Sequence, residues 1–90
     1  MTLKCELELP GVSSLKEKRR RLKSLIARLK NNFNVSIAEV DHNDVLRRAT
    51  LGAAVVANSS GFADQVIAKV VDRIKADPDV ILADYGTESN

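Results

Sequence analysis

Residues 14–32 read SLKEKRRRLKSLIARLKNN, and this stretch decides the fold because it predicts the long helix beside which the other elements are arranged. Ser14 and Glu17 have the spacing of a capping box, in which a serine starts a helix and a glutamate closes its first turn. The following apolar residues recur at helical spacing: Leu15, Leu22, Leu25, Ile26, Leu29 and Phe33. The pattern predicts an amphipathic helix. We expect it to end near Asn31 and Asn32, whose short side chains compete for the backbone.

The segment before this helix predicts a strand with one apolar face. Its apolar residues alternate with polar ones: Leu3, Cys5, Leu7 and Leu9. Strict alternation is typical of a half-buried strand, because successive side chains point to opposite faces. Pro10 and Gly11 end the strand.

Three further segments predict strands, and one predicts a second helix. Residues 33–40, 49–57 and 80–85 are short and rich in Val, Ile, Leu and Ala, a composition and length that favour buried strands. Residues 58–60 offer an N-cap for the second helix. Its apolar residues share one face: Ala63, Val66, Ile67, Val70 and Ile74. We expect the last strand to end and the tail to fray after Gly86.

The element order β-α-β-β-α-β predicts an α+β fold, a ferredoxin-like sandwich in which a four-stranded antiparallel sheet carries two helices on one face. Residues 1–90 are predicted to form a single domain. A chain this short has a modest core, and strands two to four carry little charge on either face. We therefore expect a second copy to cover the open face or an edge strand, giving a homodimer. The alternative is that scattered Ala and Val are tolerated on an open sheet.

Composition excludes several classes of protein. Cys5 is the only cysteine, so no internal disulfide and no cysteine cluster for zinc can form. No apolar run approaches the ~20 residues of a membrane span, and residues 1–5 lack the apolar core of a signal peptide. These features predict a cytoplasmic protein. The sequence also lacks a Gly-rich phosphate loop, a dinucleotide fingerprint and a nucleophile elbow, so we expect no enzyme activity and no cofactor.

Positive charge is concentrated on the first helix. Residues 16–30 hold eight of the fourteen Lys and Arg residues and one acid, a local charge of +7, so the rest of the chain carries −5 of the total of +2. At ~100° per residue, five cations fall on one side of the helix, beside its apolar stripe. We call them the basic arc: Lys16, Arg19, Arg20, Lys23 and Lys30. Arg21 and Arg28 lie on the opposite flank, and we expect Lys18 to snorkel from the edge of the stripe.

The basic arc predicts contact with the phosphates of a nucleic acid. The alternative is a solvated helix face neutralised by acids of a partner or of the second helix, where Asp64, Asp72, Asp77 and Asp79 lie. The first and third strands contain no aromatic residue, so they cannot stack bases as an RNA-recognition motif does. We expect Phe33 and Phe62 to lie in the core, and any RNA contact to read shape rather than sequence.

A second polar cluster follows the second strand, at Glu39, Asp41, His42 and Asp44. One hypothesis is a metal or acid–base site, because an imidazole among carboxylates suits both roles. The spacing matches no metal motif, and alternation puts Glu39 and Asp41 on one side of the strand and His42 on the other. The favoured interpretation is a polar hairpin turn with ion pairs to Arg47 or Arg48, without metal and without catalytic residues.

Three stretches together resemble the YlxP-like family of small bacterial proteins, a domain of unknown function. They are LPG (9–11) leading into SLKEKR (14–19), FNVSIAEVD (33–41) and RATLG (48–52). The resemblance covers about residues 3–75 and implies a ferredoxin-like fold without an established enzyme activity. It also suggests a ribosome- or RNA-associated role. Members often carry a Trp before the arginine that matches Arg48, where this chain has Val45-Leu46-Arg47.

The combined prediction is a small non-enzymatic protein that is associated with structured RNA or a ribosomal subunit through the basic arc. Arg21 and Arg28 are secondary contacts in this hypothesis, and Arg47 and Arg48 extend the surface. The alternative is a homo-oligomeric interaction or regulatory module that binds no nucleic acid.

Overall fold

The computed structural model describes residues 1–89 of the chain. It contains four strands and two helices in the predicted order. The elements are β1 (Thr2–Glu8), α1 (Leu15–Asn32), β2 (Ser36–Asp41), β3 (Arg48–Ala54), α2 (Ser60–Lys75) and β4 (Ile81–Glu88). The predicted α+β ferredoxin-like fold is confirmed.

The four strands form one sheet in the order β2-β3-β1-β4, and each neighbouring pair is antiparallel. The two central strands are β1 and β3, with Cys5 opposite Leu51 in the middle of the pair. This order follows from the two β-α-β units, since each helix carries the chain across the sheet and leaves room for a strand between. Both helices pack on one face, and we call the other the open face.

The core lies between the sheet and the helices. It is built from the alternating positions of β1 and β3 and from one stripe of each helix. Its central side chains are Leu3, Cys5, Leu7, Leu22, Leu25, Leu29, Leu51, Ile67, Val70 and Ile74, all at most 5% exposed. Burial of each large apolar side chain contributes roughly 1.5–3 kcal/mol, so these positions hold the two layers together.

Three predicted strand boundaries are wrong, and one of them is the end of β3, which lies at Ala54 rather than at residue 57. β2 begins at Ser36 rather than at residue 33, because the Phe33 N–H donates to Leu29 O and caps α1 before the chain turns. β4 does not fray after Gly86 but continues to Glu88, where it pairs with Thr2 of β1. Backbone pairing with a central strand therefore orders a segment that has no apolar alternation of its own.

One predicted core residue lies at the surface. Phe62 is 55% exposed because it stands in the first turn of α2, whose buried face begins at Ala63. Phe33 packs against the core and is partly buried, as predicted. Within residues 1–89, neither helix has the length and apolar character needed to cross a bilayer.

The buried thiol of Cys5 provides a test of the core. Burial, and secondarily the charge of Glu6, raises the pKa of Cys5 from 9.0 to about 11. The unfolded chain therefore loses this proton at lower pH than the folded chain does, so the free energy of unfolding falls as pH rises from 9 to 11. We expect a loss of about 2 kcal/mol over that interval from this group.

Cys5→Ala is the control, because it removes the titrating group and leaves the other ionisable residues in place. Urea unfolding of both proteins at several pH values measures the difference between their slopes. Equal slopes would contradict a buried, protonated thiol.

Candidate nucleic-acid interface

The first turn of α1 orients the helix that carries the basic arc. Ser14 is the N-cap, and its Oγ accepts a hydrogen bond from the Glu17 N–H at 3.1 Å. Glu17 reaches back to Ser13 rather than to Ser14, accepting from the Ser13 N–H and hydroxyl. These two bonds, with the neighbouring Arg21, lower the pKa of Glu17. The predicted cap is confirmed, with the reciprocal bond displaced by one residue.

The five residues of the basic arc are all exposed. Within residues 1–89, none of their side chains takes part in an ion pair or a hydrogen bond. Their ammonium and guanidinium groups therefore face solvent with their donors available for an anion. The acids of α2 do not neutralise this side of α1.

The other three cations of α1 are all paired. Arg21 bonds Glu17 at 3.0 Å and also donates to Pro10 O. Arg28 bonds Asp77 at 2.6 Å, so one of the predicted pairings with acids in or after α2 does occur. Both arginines lie on the flank opposite the basic arc, as predicted, and each forms an ion pair with an acid of this chain.

Lys18 does not snorkel to solvent, and that prediction is wrong. Its side chain is fully buried, and its Nζ lies 2.8 Å from Glu39 Oε2. The ammonium also donates to His42 O at 2.6 Å and to Asn43 O at 3.4 Å. The ion pair and the two carbonyl acceptors compensate the buried charge, which would otherwise be costly to desolvate, although Glu39 Oε2 accepts no well-aligned hydrogen bond.

Glu39 reaches Lys18 because it alternates regularly with buried Ile37, which places both side chains on the helix side of β2. Glu39 pairs with Leu51 on the helix side, but the register shifts before Asp41, which pairs with Thr50 on the open face. The prediction that Glu39 and Asp41 share one side is therefore wrong. A bulge adds one residue to a strand and turns the following side chains to the other face.

The polar cluster after β2 forms a hydrogen-bonded turn. Asp41 accepts from the His42 N–H at 2.7 Å. Within residues 1–89, no ion pair joins this turn to Arg47 or Arg48, so the predicted pairing is wrong. The same residues hold no group of three side chains arranged to bind a metal ion.

His42 is held in an unusual position. Its φ is +61°, in the left-handed region that few residues other than glycine adopt. Its Nδ1 lies 2.8 Å from Thr50 Oγ1, and the Thr50 hydroxyl donates to Glu6 Oε2 at 2.7 Å. Because the hydroxyl has one proton, Nδ1 must be the donor to Thr50. These two hydrogen bonds satisfy the hydroxyl of Thr50, a residue that is fully buried although it lies on the open face.

Arg47, just before β3, and Arg48, in β3, are placed differently relative to the basic arc. Arg47 Nε donates to Val12 O at 3.2 Å, just before α1. Arg48 alternates with the buried Ala49 and stands opposite Glu8, so it lies on the open face. Arg48 is therefore on the side of the sheet turned away from α1.

The open face has no platform for stacking bases. Central strands β1 and β3 contain no aromatic residue. Tyr85 lies on edge strand β4 opposite Cys5, which places it on the helix side. The Lys75 ammonium lies 5.5 Å from the centre of its ring. The geometry of the described residues thus offers charge for a phosphate backbone and no aromatic surface for base stacking on the sheet.

The buried Lys18 charge supplies a stability prediction. Lys18→Met keeps the length of the side chain but leaves Glu39 without its partner in a nearly dry site, where its side chain is 16% exposed. We expect a loss of about 3 kcal/mol, at the lower end of the cost of breaking a buried pair. Chemical denaturation measures it.

Lys16→Met is the matched control, since it makes the same replacement at an exposed position of the same helix and should change stability by no more than about 0.5 kcal/mol. The double variant Lys18→Met/Glu39→Met should regain part of the loss. A single variant as stable as the control would show that the pair has no structural role.

Comparison with known proteins shows the family to which the chain belongs. The family model described as "Protein of unknown function (DUF503)" matches residues 1–87. The chain is also 36% identical over 76 residues to "Uncharacterized protein YlxP" of Bacillus subtilis (strain 168), which covers 84% of this chain and 83% of that protein. The chain therefore belongs to the DUF503 family, to which no function is assigned.

Proposed function

We propose that this protein is a non-enzymatic cytoplasmic protein that docks through its basic arc on the phosphate backbone of structured RNA, such as a ribosomal subunit. The contacts are made by Lys16, Arg19, Arg20, Lys23 and Lys30. The docking is electrostatic, so it recognises the shape of the backbone rather than a base sequence.

The observation that carries this proposal is the division of the cations on α1. The three that face the fold are paired with acids, and the five on the basic arc have no partner among residues 1–89. A helix whose only purpose was solubility would need no such separation, because mixed charges serve solubility equally well. Five uncompensated cations on one face are typical of a surface that meets a polyanion.

The length of the arc fits a backbone better than a single anion. Lys16 and Lys30 are fourteen residues apart, about 21 Å along a helix axis. Five cations over that distance contact several successive phosphates rather than one small ligand. The absence of aromatic residues from β1 and β3 favours folded RNA over single strands, whose binding relies on stacking.

The alternative function is a homo-oligomeric interaction or regulatory module in which the arc meets an acidic protein surface. It uses the same five cations, but the acids of this chain are poorly placed for it. Among residues 46–89, Asp77 is the one acid that forms an ion pair with α1, and it holds Arg28 outside the arc. We therefore favour RNA, and binding to acidic protein without RNA affinity becomes an outcome of the following test.

Arg19→Glu/Arg20→Glu/Lys23→Glu reverses three charges at the middle of the arc. We expect affinity for a folded ribosomal RNA fragment to fall by at least about 100-fold at low salt, since repulsion replaces attraction at three phosphates. Gel-shift titration measures the affinity, and circular dichroism checks that the helix is retained.

The control reverses three exposed cations of α2, Lys69→Glu/Arg73→Glu/Lys75→Glu, and changes the net charge by the same amount. It should keep most of the affinity. If both triple variants bind equally well or equally poorly, the basic arc is not the docking surface. Wild-type protein that binds no RNA but captures an acidic protein would favour the alternative.

A salt titration tests the number of phosphate contacts. Five contacts predict that log K falls with log salt concentration at a slope of about −3.5 to −4.5. Lys30→Gln should reduce the magnitude of that slope by about 1, because one contact is lost. An unchanged slope in the variant would remove Lys30 from the interface.

A further inference from the structure

The open face of the sheet carries a second surface. A shallow groove of ≈1040 Å³ crosses this face and is lined by residues of all four strands, with Lys30 of the basic arc at its rim. Its floor is formed by small residues. Lys4 stands in a row with Ala38, Gly52 and Gly86 on the neighbouring strands, so no large side chain flanks it.

The charges of this face are arranged in rows across the strands. Lys4 is exposed and, within residues 1–89, forms no ion pair. The next row on the same face holds three acids: Glu6 and Asp84 on adjacent strands, and Asp41 on β2 beyond Thr50. A cation row and an acid row therefore lie about 7 Å apart along the strands.

This pattern is complementary to itself. Consider a two-fold axis that is parallel to the sheet, perpendicular to the strands and located between the two rows. In a second copy related by this axis, the cation row and the acid row exchange positions. The axis sets Lys4 of each copy opposite Glu6 of the other, which makes two equivalent ion pairs. An isologous interface requires this kind of self-complementary patch.

The dimensions and the apolar content also fit a facing sheet. Packed sheets lie about 10 Å apart, a gap that a lysine and a glutamate side chain bridge together. Small residues beside Lys4 permit that approach. Val40 is 57% exposed and supplies apolar surface to this face. Its Cγ1 lies over Gly52, only 3.0 Å from the position that a Cβ there would occupy.

The β2 edge is a poorer route to a dimer. β2 is the edge on the α1 side, because Lys18 of α1 bonds Glu39 of β2. Pairing two β2 edges would bring two copies of α1, with five unpaired cations each, close together. Packing through the open face instead leaves Lys16, Arg19, Arg20 and Lys23 of both copies on the outside.

We propose that the open face is the interface of a symmetric homodimer held by reciprocal Lys4–Glu6 pairs. The face measures about 19 by 23 Å from strand spacing and rise, which is less than the ~800 Å² per partner of a standard interface. We therefore expect the dimer to be reversible, with a dissociation constant between about 1 μM and 1 mM. The proposal does not depend on RNA binding, because Lys4 and Glu6 are not residues of the basic arc, of which Lys30 lines the groove.

Sedimentation equilibrium over that concentration range, without RNA, tests the interface. Wild-type protein should dimerise, and Lys4→Glu and Glu6→Lys should each raise the dissociation constant by about 100-fold, because like charges then face each other. Lys69→Glu, which makes the same change on α2, should dimerise like the wild type.

Mixing the two variants separates the interface from damage to the fold. Glu6→Lys also removes the acceptor of the Thr50 hydroxyl, so circular dichroism must first establish that each variant is folded. Lys4→Glu and Glu6→Lys chains mixed in equal amounts should form a heterodimer within about tenfold of the wild-type affinity, since each Lys–Glu contact is restored. A monomeric wild type, unchanged dimerisation of Lys4→Glu, or folded variants that do not associate on mixing would each overturn the proposal.

Discussion

The buried ammonium of Lys18 is the constraint on which the arrangement of this protein depends. It lies beneath α1 and bonds Glu39, His42 O and Asn43 O, so one charge joins the helix to β2 and to the turn that follows it. An unpaired charge there would destabilise the fold by several kcal/mol, so helix, strand and turn must be present together. The left-handed conformation of His42 persists because such a network surrounds it.

The same requirement explains how charge is distributed on α1. Buried Lys18 is paired with Glu39, and buried Asp77 is paired with the half-exposed Arg28, while the Arg21–Glu17 pair lies along α1 nearer the surface. The basic arc is under no such requirement, because solvent stabilises an exposed charge without a partner. The net charge of the chain is near zero, yet the side of the molecule that carries the basic arc is strongly positive. The position of charge, rather than its total, distinguishes a docking surface from ordinary solubility.

The sequence predicted the fold from local rules, and the errors lie where local rules conflict. Alternation, capping and helical spacing were sufficient for the element order and for the exposed basic arc. Lys18 was misjudged as an edge residue, although it lies four, seven and eleven residues before Leu22, Leu25 and Leu29 and so stands in the middle of the stripe. A charge at an apolar position predicts a buried partner, and Glu39, two residues after buried Ile37, fits that description. The bulge that follows Glu39 depends on pairing with β3 and has no comparable signal.

Apart from Lys30, which lines the groove, the basic arc is separate from the open face, so a dimer leaves four cations of each arc free. A dimer through the open face would therefore present at least eight cations to one RNA molecule, where a single chain presents five. When two sites are joined, the second binds at a raised effective concentration, which increases affinity without any new contact. The gain requires RNA whose phosphates are held far enough apart to reach both arcs. Folded RNA meets that requirement better than a short duplex, which is the physical reason that shape, rather than sequence, would decide the partner.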